Sequence, residues 1–278
     1  MTTFPVCKVN LGLYVTSKRP DGMHNLSTVF LPVSLCDTLE IVALNDTYSA
    51  DILHLTGLRL TEEGTGADNL VMRTIASLRE DYPELPYFEV WLHKRIPTGA
   101  GLGGGSSDAA YTLRLINEMC DLRISDTEAI RRLSVLGADC AFFWKSTPAY
   151  AEGIGEELHP IALPQLKGLH IVLVKPPFGV STREAFGGIT PQQPALPLRE
   201  ALAQPIENWK THVGNDFETT VFPHHPELKA LKQTLYDAGA LYAQMSGSGS
   251  TMLAFFKRPV EEEIRRLFPN YFIHSSQL

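Results

Sequence analysis

The sequence predicts two α+β domains, and three observations carry that prediction. The first 45 residues hold β-favouring runs separated by turn residues, while the last third alternates helical stripes with short apolar runs. Between them, PPFGVSTREAFGGITPQQPALP (176–197) is rich in Pro and Gly and marks a change of character. The stretch LKGLHIVLVK, shortly before it, reads as the first strand of a new unit. The boundary is therefore expected near residue 155, giving domains 1–155 and 156–278. At 278 residues the chain is long enough for two modest domains, and no internal repeat is evident.

Taken in order, CKVNLGLYVT and VFLPVSL read as strands joined by a turn at KRPDGMHN, and DTLEIVAL as a third strand. DNLVMRTIASLREDY (68–82) fits a helix with Leu70, Ile75 and Leu78 near one face and Asp68 available as its cap; Asn69 is a second candidate for that cap. YFEVWLHKRI alternates, with Phe88, Val90 and Leu92 on one side and Glu89, Trp91 and His93 on the other, as a half-buried strand requires. SDAAYTLRLINEMC carries an apolar stripe of Ala109, Ala110, Leu113 and Ile116, a second helix. SDTEAIRRLSVLG opens on Ser125-x-x-Glu128, a capping-box signature, and is expected to stop at Gly137. LGADCAFFW places Asp139 after that helix and, on the expected pattern, before an apolar strand. HPELKALKQTLYDAGA and PVEEEIRRLF read as helices, MLAFFK and YFIHSS as strands.

Composition narrows the functional classes. Hydrophobic residues make up 44% and charged residues 20%, without a disorder signature. A net charge of -7 repels a phosphodiester backbone and no basic stripe offsets it, so nucleic acid is not an expected partner. The N-terminus lacks the basic and apolar regions of a signal peptide, and no apolar run reaches a membrane-spanning length, so no membrane association is expected. The four cysteines form no C-x-x-C pair. A reduced, cytoplasmic protein is the expectation.

The chemistry concentrates in IPTGAGLGGGSSDAA (96–110), with five glycines and two serines between a strand and a helix. Glycine loses more backbone entropy on folding than any other residue, so such a run needs a reason. A flexible linker fits poorly between two strong elements. The Walker A lysine is missing, and the G-x-G-x-x-G match lacks the strand expected to follow it. Consecutive small residues let several backbone N–H groups face one anion, and the helix start adds unpaired donors and a positive dipole end. Phosphate binding and a tight structural turn are the two readings left. Ser106 or Ser107 can offer a hydroxyl to the Mg²⁺ that accompanies a nucleotide. A second Gly/Ser loop, Ser246–Ser250, precedes an apolar strand; alone it reads as a turn, Asp139 as a cap and Lys8 as a strand-end charge.

Together these stretches resemble the GHMP small-molecule kinases. Pro97-x-Gly99-x-Gly101-Leu102-Gly103-Gly104-Gly105-Ser106-Ser107-x-Ala109 is similar to that superfamily's phosphate loop, and Ser246–Ser250 to its third motif. CKVNLGLYVTSKRPDGMHNLSTVF, DNLV, LGADCAFF, EGIGEEL, VST, NDFE and MSGSGST extend the resemblance over essentially the whole chain. It implies a ribosomal S5-like ATP-binding N-terminal domain, a ferredoxin-like C-terminal domain and a site in the cleft between them. It further implies ATP- and Mg²⁺-dependent phosphorylation of the 2-hydroxyl of a methylerythritol carried on CDP, in the non-mevalonate isoprenoid pathway. A monomer or weak homodimer is expected. The rival members are kinases of homoserine or mevalonate type, diphosphomevalonate decarboxylases, and a non-catalytic sensor of the same fold.

The same resemblance assigns residues. Asp139 is the base and Lys8 its cationic neighbour. Asn69 and Lys94 match positions near the adenine, and Pro97 to Ser107 the phosphate loop. Asn10, His24, Phe186, Ser246 and Gly247 match the substrate side, with His24 reading the cytosine edge and Phe186 stacking on its ring. Two positions depart from the family pattern: Met23 stands where tyrosine is usual, which predicts a weaker grip on the cytidyl group, and Ala141 replaces a proline after the Gly-Ala-Asp turn.

Overall fold

The structure, a computed structural model, describes residues 1–58 and 66–278. Its elements run β1 (Thr2–Thr3), β2 (Val6–Lys18), β3 (His24–Cys36), β4 (Thr38–Ala43), β5 (Ile52–Gly57), α1 (Leu70–Asp81), β6 (Phe88–Lys94), α2 (Gly104–Met119), α3 (Asp126–Leu136), α4 (Cys140–Phe143), β7 (Ala149–Glu152), β8 (Glu157–Pro160) and β9 (His170–Lys175). They continue with α5 (Thr182–Phe186), α6 (Leu198–Ala203), α7 (Trp209–His212), α8 (Phe217–Val221), α9 (Pro226–Asp237), β10 (Tyr242–Met245), β11 (Met252–Phe256), α10 (Glu261–Leu267) and β12 (Phe272–Gln277).

Two compact units emerge, and no single cut at residue 155 separates them. The first comprises Met1–Cys7, Val33–Thr98 and Gly103–Thr147; the second takes Lys8–Pro32, Gly99–Leu102 and Pro148–Leu278. The long strands β2 and β3 pass from one unit to the other, a crossing that local composition does not reveal.

In the first unit the sheet order is β1-β4-β6-β5, with β4 antiparallel and β5 parallel to β6. The expected alternation holds along β6: Phe88, Val90 and Leu92 are buried and Trp91 and His93 exposed. Helix α1 buries Val71, Thr74, Ile75 and Leu78, the spacing of one helical face. Its cap is Asn69, whose Oδ1 accepts from the Val71 amide at 2.9 Å; Asp68 lies in the preceding 3-10 turn. Ser125 caps α3 through the Glu128 amide at 3.3 Å, but the Glu128 carboxylate turns to Arg131 and Arg132 and leaves the box half made. Gly137 ends α3 in an extended conformation, φ 175°. CAFF, expected as a strand, forms the short helix α4 with all four residues buried.

The second unit holds two antiparallel sheets, β2-β3-β7-β8 and β10-β11-β9-β12. Val172 and Val174 of β9, Ala254 and Phe256 of β11, and Leu228, Leu231 and Leu235 of α9 share one core with Ile264 of α10. Strand β11 is buried at every residue, so its sequence shows an apolar run with no alternation.

Candidate active site

Strand β6, the glycine loop and helix α2 follow one another without insertion, and each sets up the next. Gly99, Gly101 and Gly103 take left-handed backbone angles (φ 57°, 72° and 68°) while Ala100 and Leu102 between them are buried. Alternation of this kind turns successive amides toward one side, the geometry of an anion nest. Gly103 caps α2 without a side chain, and the amides of Gly104, Gly105 and Ser106 start the helix with no intrahelical acceptor. At the start of a helix of 16 residues, these donors also carry the positive end of the helix dipole. Pro97 is buried at the loop's entrance.

Lys94 is not placed to meet an adenine. Its ammonium is 2% exposed and donates to both Asp37 and Asp108, so a buried ion triad occupies it. Burial alone would lower its pKa; Asp108 and Asp37 outweigh burial and raise it. Burial pushes the Asp108 carboxyl up to about 8 against the pull of Lys94. A folded-state pKa above the unfolded one means that the folded state holds the extra proton. Stability is then greatest below the ordinary carboxylate range and falls as pH rises from about 4 through about 8, by at most about 1.4 kcal/mol per unit. Asp108→Asn is expected to flatten that fall, read as melting temperature against pH from 5 to 9.

Asp139 stands half-buried at the start of α4, and its side chain makes no capping hydrogen bond. Ser106 is half-buried, and burial raises the pKa of the nearby Cys140 thiol to about 11. Ser107 Oγ is fully buried and has no hydrogen-bond partner among the described residues. Mg²⁺ takes oxygen ligands and keeps several waters, so a hydroxyl beside a phosphate nest fits a metal that arrives on a triphosphate. Of the two serines, Ser106 is the accessible one. Among the described residues no group of three His, Cys, Asp or Glu could hold a metal ion.

In the second unit the loop Ser246–Ser250 supports the glycine loop from behind. Ser246 Oγ donates to the Gly101 carbonyl at 2.9 Å and accepts from the Asn10 amide at 3.2 Å. A Cβ on Gly101 would lie 2.0 Å from the Ser246 carbonyl oxygen, so only glycine allows that approach. Ser246 and Gly247 are buried, and the Ser246 hydroxyl is spent within the protein; it is a support and not the substrate contact expected of it. Asn10 also turns inward: its Oδ1 accepts from Lys8 Nζ at 2.7 Å and its Nδ2 donates to Thr28 at 2.9 Å. Asn10 thus orients the Lys8 ammonium, which also lies 4.9 Å from the centre of the Phe30 ring.

Asn215 fastens the second Gly/Ser loop to the start of α8. Its Nδ2 donates to the carbonyls of Met245 and Gly247, each at 2.8 Å, and its Oδ1 accepts from the Phe217 amide at 2.9 Å. It lies in the Asn-Asp-Phe-Glu stretch that extends the family resemblance. His24 and Phe186 do come together, stacked at 4.9 Å between ring centres, and Phe217 packs against Phe186 in a T-shaped pair. One face of Phe186 is therefore covered by His24. Met23, 49% exposed, stands next to them on the turn.

Comparison with known proteins follows the same lines. The sequence profile described as GHMP kinases N terminal domain matches residues 69–146, and that of the GHMP kinases C terminal matches 197–274. A protein of Bacteroides fragilis named 4-diphosphocytidyl-2-C-methyl-D-erythritol kinase is 47% identical over 267 residues, 96% of this chain and 95% of its own. One of the same name from Parabacteroides distasonis is 44% identical over the full length of both. A crystal structure of 4-(cytidine 5'-diphospho)-2C-methyl-D-erythritol kinase superposes with a TM-score of 0.83 at 31% identity, covering both chains completely.

Proposed function

This chain belongs to the GHMP kinases, and from that premise we propose that it transfers the γ-phosphoryl group of ATP to the 2-hydroxyl of 4-diphosphocytidyl-2-C-methyl-D-erythritol. The observation that carries the reading is the glycine loop: alternating left-handed glycines open directly onto the start of a long helix. The relatives' shared name supplies the acceptor.

Phosphoryl transfer asks little covalent chemistry of a protein; positioning and neutralisation of the phosphate oxygens dominate. The amides of the glycine loop and of the first turn of α2 bind those oxygens. Ser106 is the residue to hold the Mg²⁺ carried on the phosphates, and bound Mg²⁺ supplies further charge neutralisation there. Asp139 accepts the proton of the attacking hydroxyl. Lys8, oriented by Asn10, contributes positive charge. Asn69 borders the adenine while capping α1. The His24–Phe186 step receives the cytosine, and Met23 offers it a thioether where an aromatic ring would grip harder.

The protein works in the cytoplasm as a monomer or weak homodimer. Among the described residues no helix is long and apolar enough to cross a membrane.

Coupled ADP release with ATP and Mg²⁺ tests the assignment, with the cytidyl alcohol run beside homoserine and mevalonate. Turnover on the cytidyl alcohol alone is expected. Equal turnover on homoserine or mevalonate would move the chain to another member of the family.

A further inference from the structure

We propose that Asp37, Lys94 and Asp108 form a buried brace that fixes the separation of the two ends of the glycine loop and thereby sets its affinity for ATP. They are positioning residues and touch no ligand. The proposal rests on the reading that this loop binds ATP.

The brace gathers three parts of the first unit around one ammonium. Asp37 occupies the single position between β3 and β4, tied back by its amide to the Pro5 carbonyl at 2.9 Å. Its Oδ1 accepts from the amides of Arg95 and Ile96 at 2.5 and 2.8 Å, which fixes the chain where it leaves β6 for the loop. Its Oδ2 accepts from Lys94 Nζ, the last residue of β6. The same Nζ donates to Asp108, in the opening turns of α2, where the loop ends. Strand exit and helix entry are thus fastened to one nitrogen. Gly104 allows the close approach, because a Cβ there would lie 2.8 Å from Ile96 Cγ2 and 3.5 Å from Lys94 Nζ.

Stability alone does not account for this arrangement. Three ionisable side chains, each at most 3% exposed, are removed from water, and the Asp108 Oδ1 has no hydrogen-bond partner among the described residues. Burying ion pairs costs desolvation that well-packed apolar residues avoid, so such a cluster is poor evidence of a stabilising device. What it does supply is direction. The ammonium and the two carboxyl groups define the distance between strand end and helix start, which apolar contacts leave adjustable. A nest of backbone donors depends on that distance, since a misplacement of about 1 Å can cost on the order of 10²-fold in a positioned reaction.

The test compares two variants with the parent protein. Asp108→Asn keeps an acceptor for Lys94 and is expected to hold the KM for ATP within about threefold. Lys94→Met alone strands two buried carboxylates and can fail to fold. The informative variant therefore combines Asp37→Asn, Lys94→Met and Asp108→Leu, replacing the charges with neutral groups of similar size. It is expected to melt cooperatively, to bind ATP at least about tenfold more weakly by calorimetry, and to keep the KM for the cytidyl alcohol within about twofold. A combined variant that folds and binds ATP like the parent overturns the brace, as does an equal rise in both KM values. Parent protein that binds ATP without phosphorylating the cytidyl alcohol would count against the proposed function only, and the calorimetric comparison would still decide the brace.

Discussion

Asp139→Asn is expected to lower kcat by about 10²- to 10⁴-fold, the usual contribution of a positioned general base. The melting temperature and the affinity for ATP should stay close to those of the parent. Asparagine is isosteric with aspartate, so the start of α4 keeps its shape. Uncharged, it no longer accepts the hydroxyl proton. The outcome is read by single-turnover rate beside calorimetric ATP binding. A variant with kcat within about threefold of the parent would remove Asp139 from the chemistry and leave positioning as the whole of catalysis.

Gly101→Ala should be equally damaging, through the backbone. The residue sits at φ 72°, and an added Cβ would lie 2.0 Å from the Ser246 carbonyl oxygen. Left-handed backbone costs an L-residue roughly 1–2 kcal/mol, and the collision forces the loop off its support as well. ATP affinity is expected to fall on the order of 10²-fold. Gly105→Ala is the informative contrast. Gly105 is helical and exposed, and the nearest atom to a Cβ there is Leu70 Cδ1 at 3.6 Å. Alanine should stabilise α2 by about 0.5–1 kcal/mol. Weaker ATP binding by a more stable protein would show that a ligand approaches the backbone at this point. Unchanged ATP binding would make Gly105 an ordinary helical residue that no ligand approaches.

Much of this was legible along the chain because periodicity reports burial. The alternation of β6 holds in the structure, and α1 buries Ile75 and Leu78 as expected, with Val71 and Thr74 beside them and Leu70 only half-buried. CAFF failed for the opposite reason: four consecutive apolar residues have no period, and packing against α2 and α3 decides their conformation. The family resemblance put Lys94 near the adenine. Its partners lie 57 and 14 residues away, and only the sheet and helix bring them to it. The acid between two apolar runs in SLCDTLEI was the one hint, since a buried carboxylate demands a partner. Ser246 and Asn215 show the same limit. A Gly/Ser loop can face a ligand or hold up another loop, and the sequence is identical in both cases.

The most direct test of the account is ³¹P NMR of the reaction of ATP with the cytidyl alcohol in the presence of Mg²⁺ and this protein. One new phosphomonoester signal should grow in step with ADP while the CDP diphosphate signals persist, and Asp139→Asn should abolish it on the same timescale. Orthophosphate as the only new product, or a cleaved cytidyl diphosphate, would contradict transfer to the 2-hydroxyl.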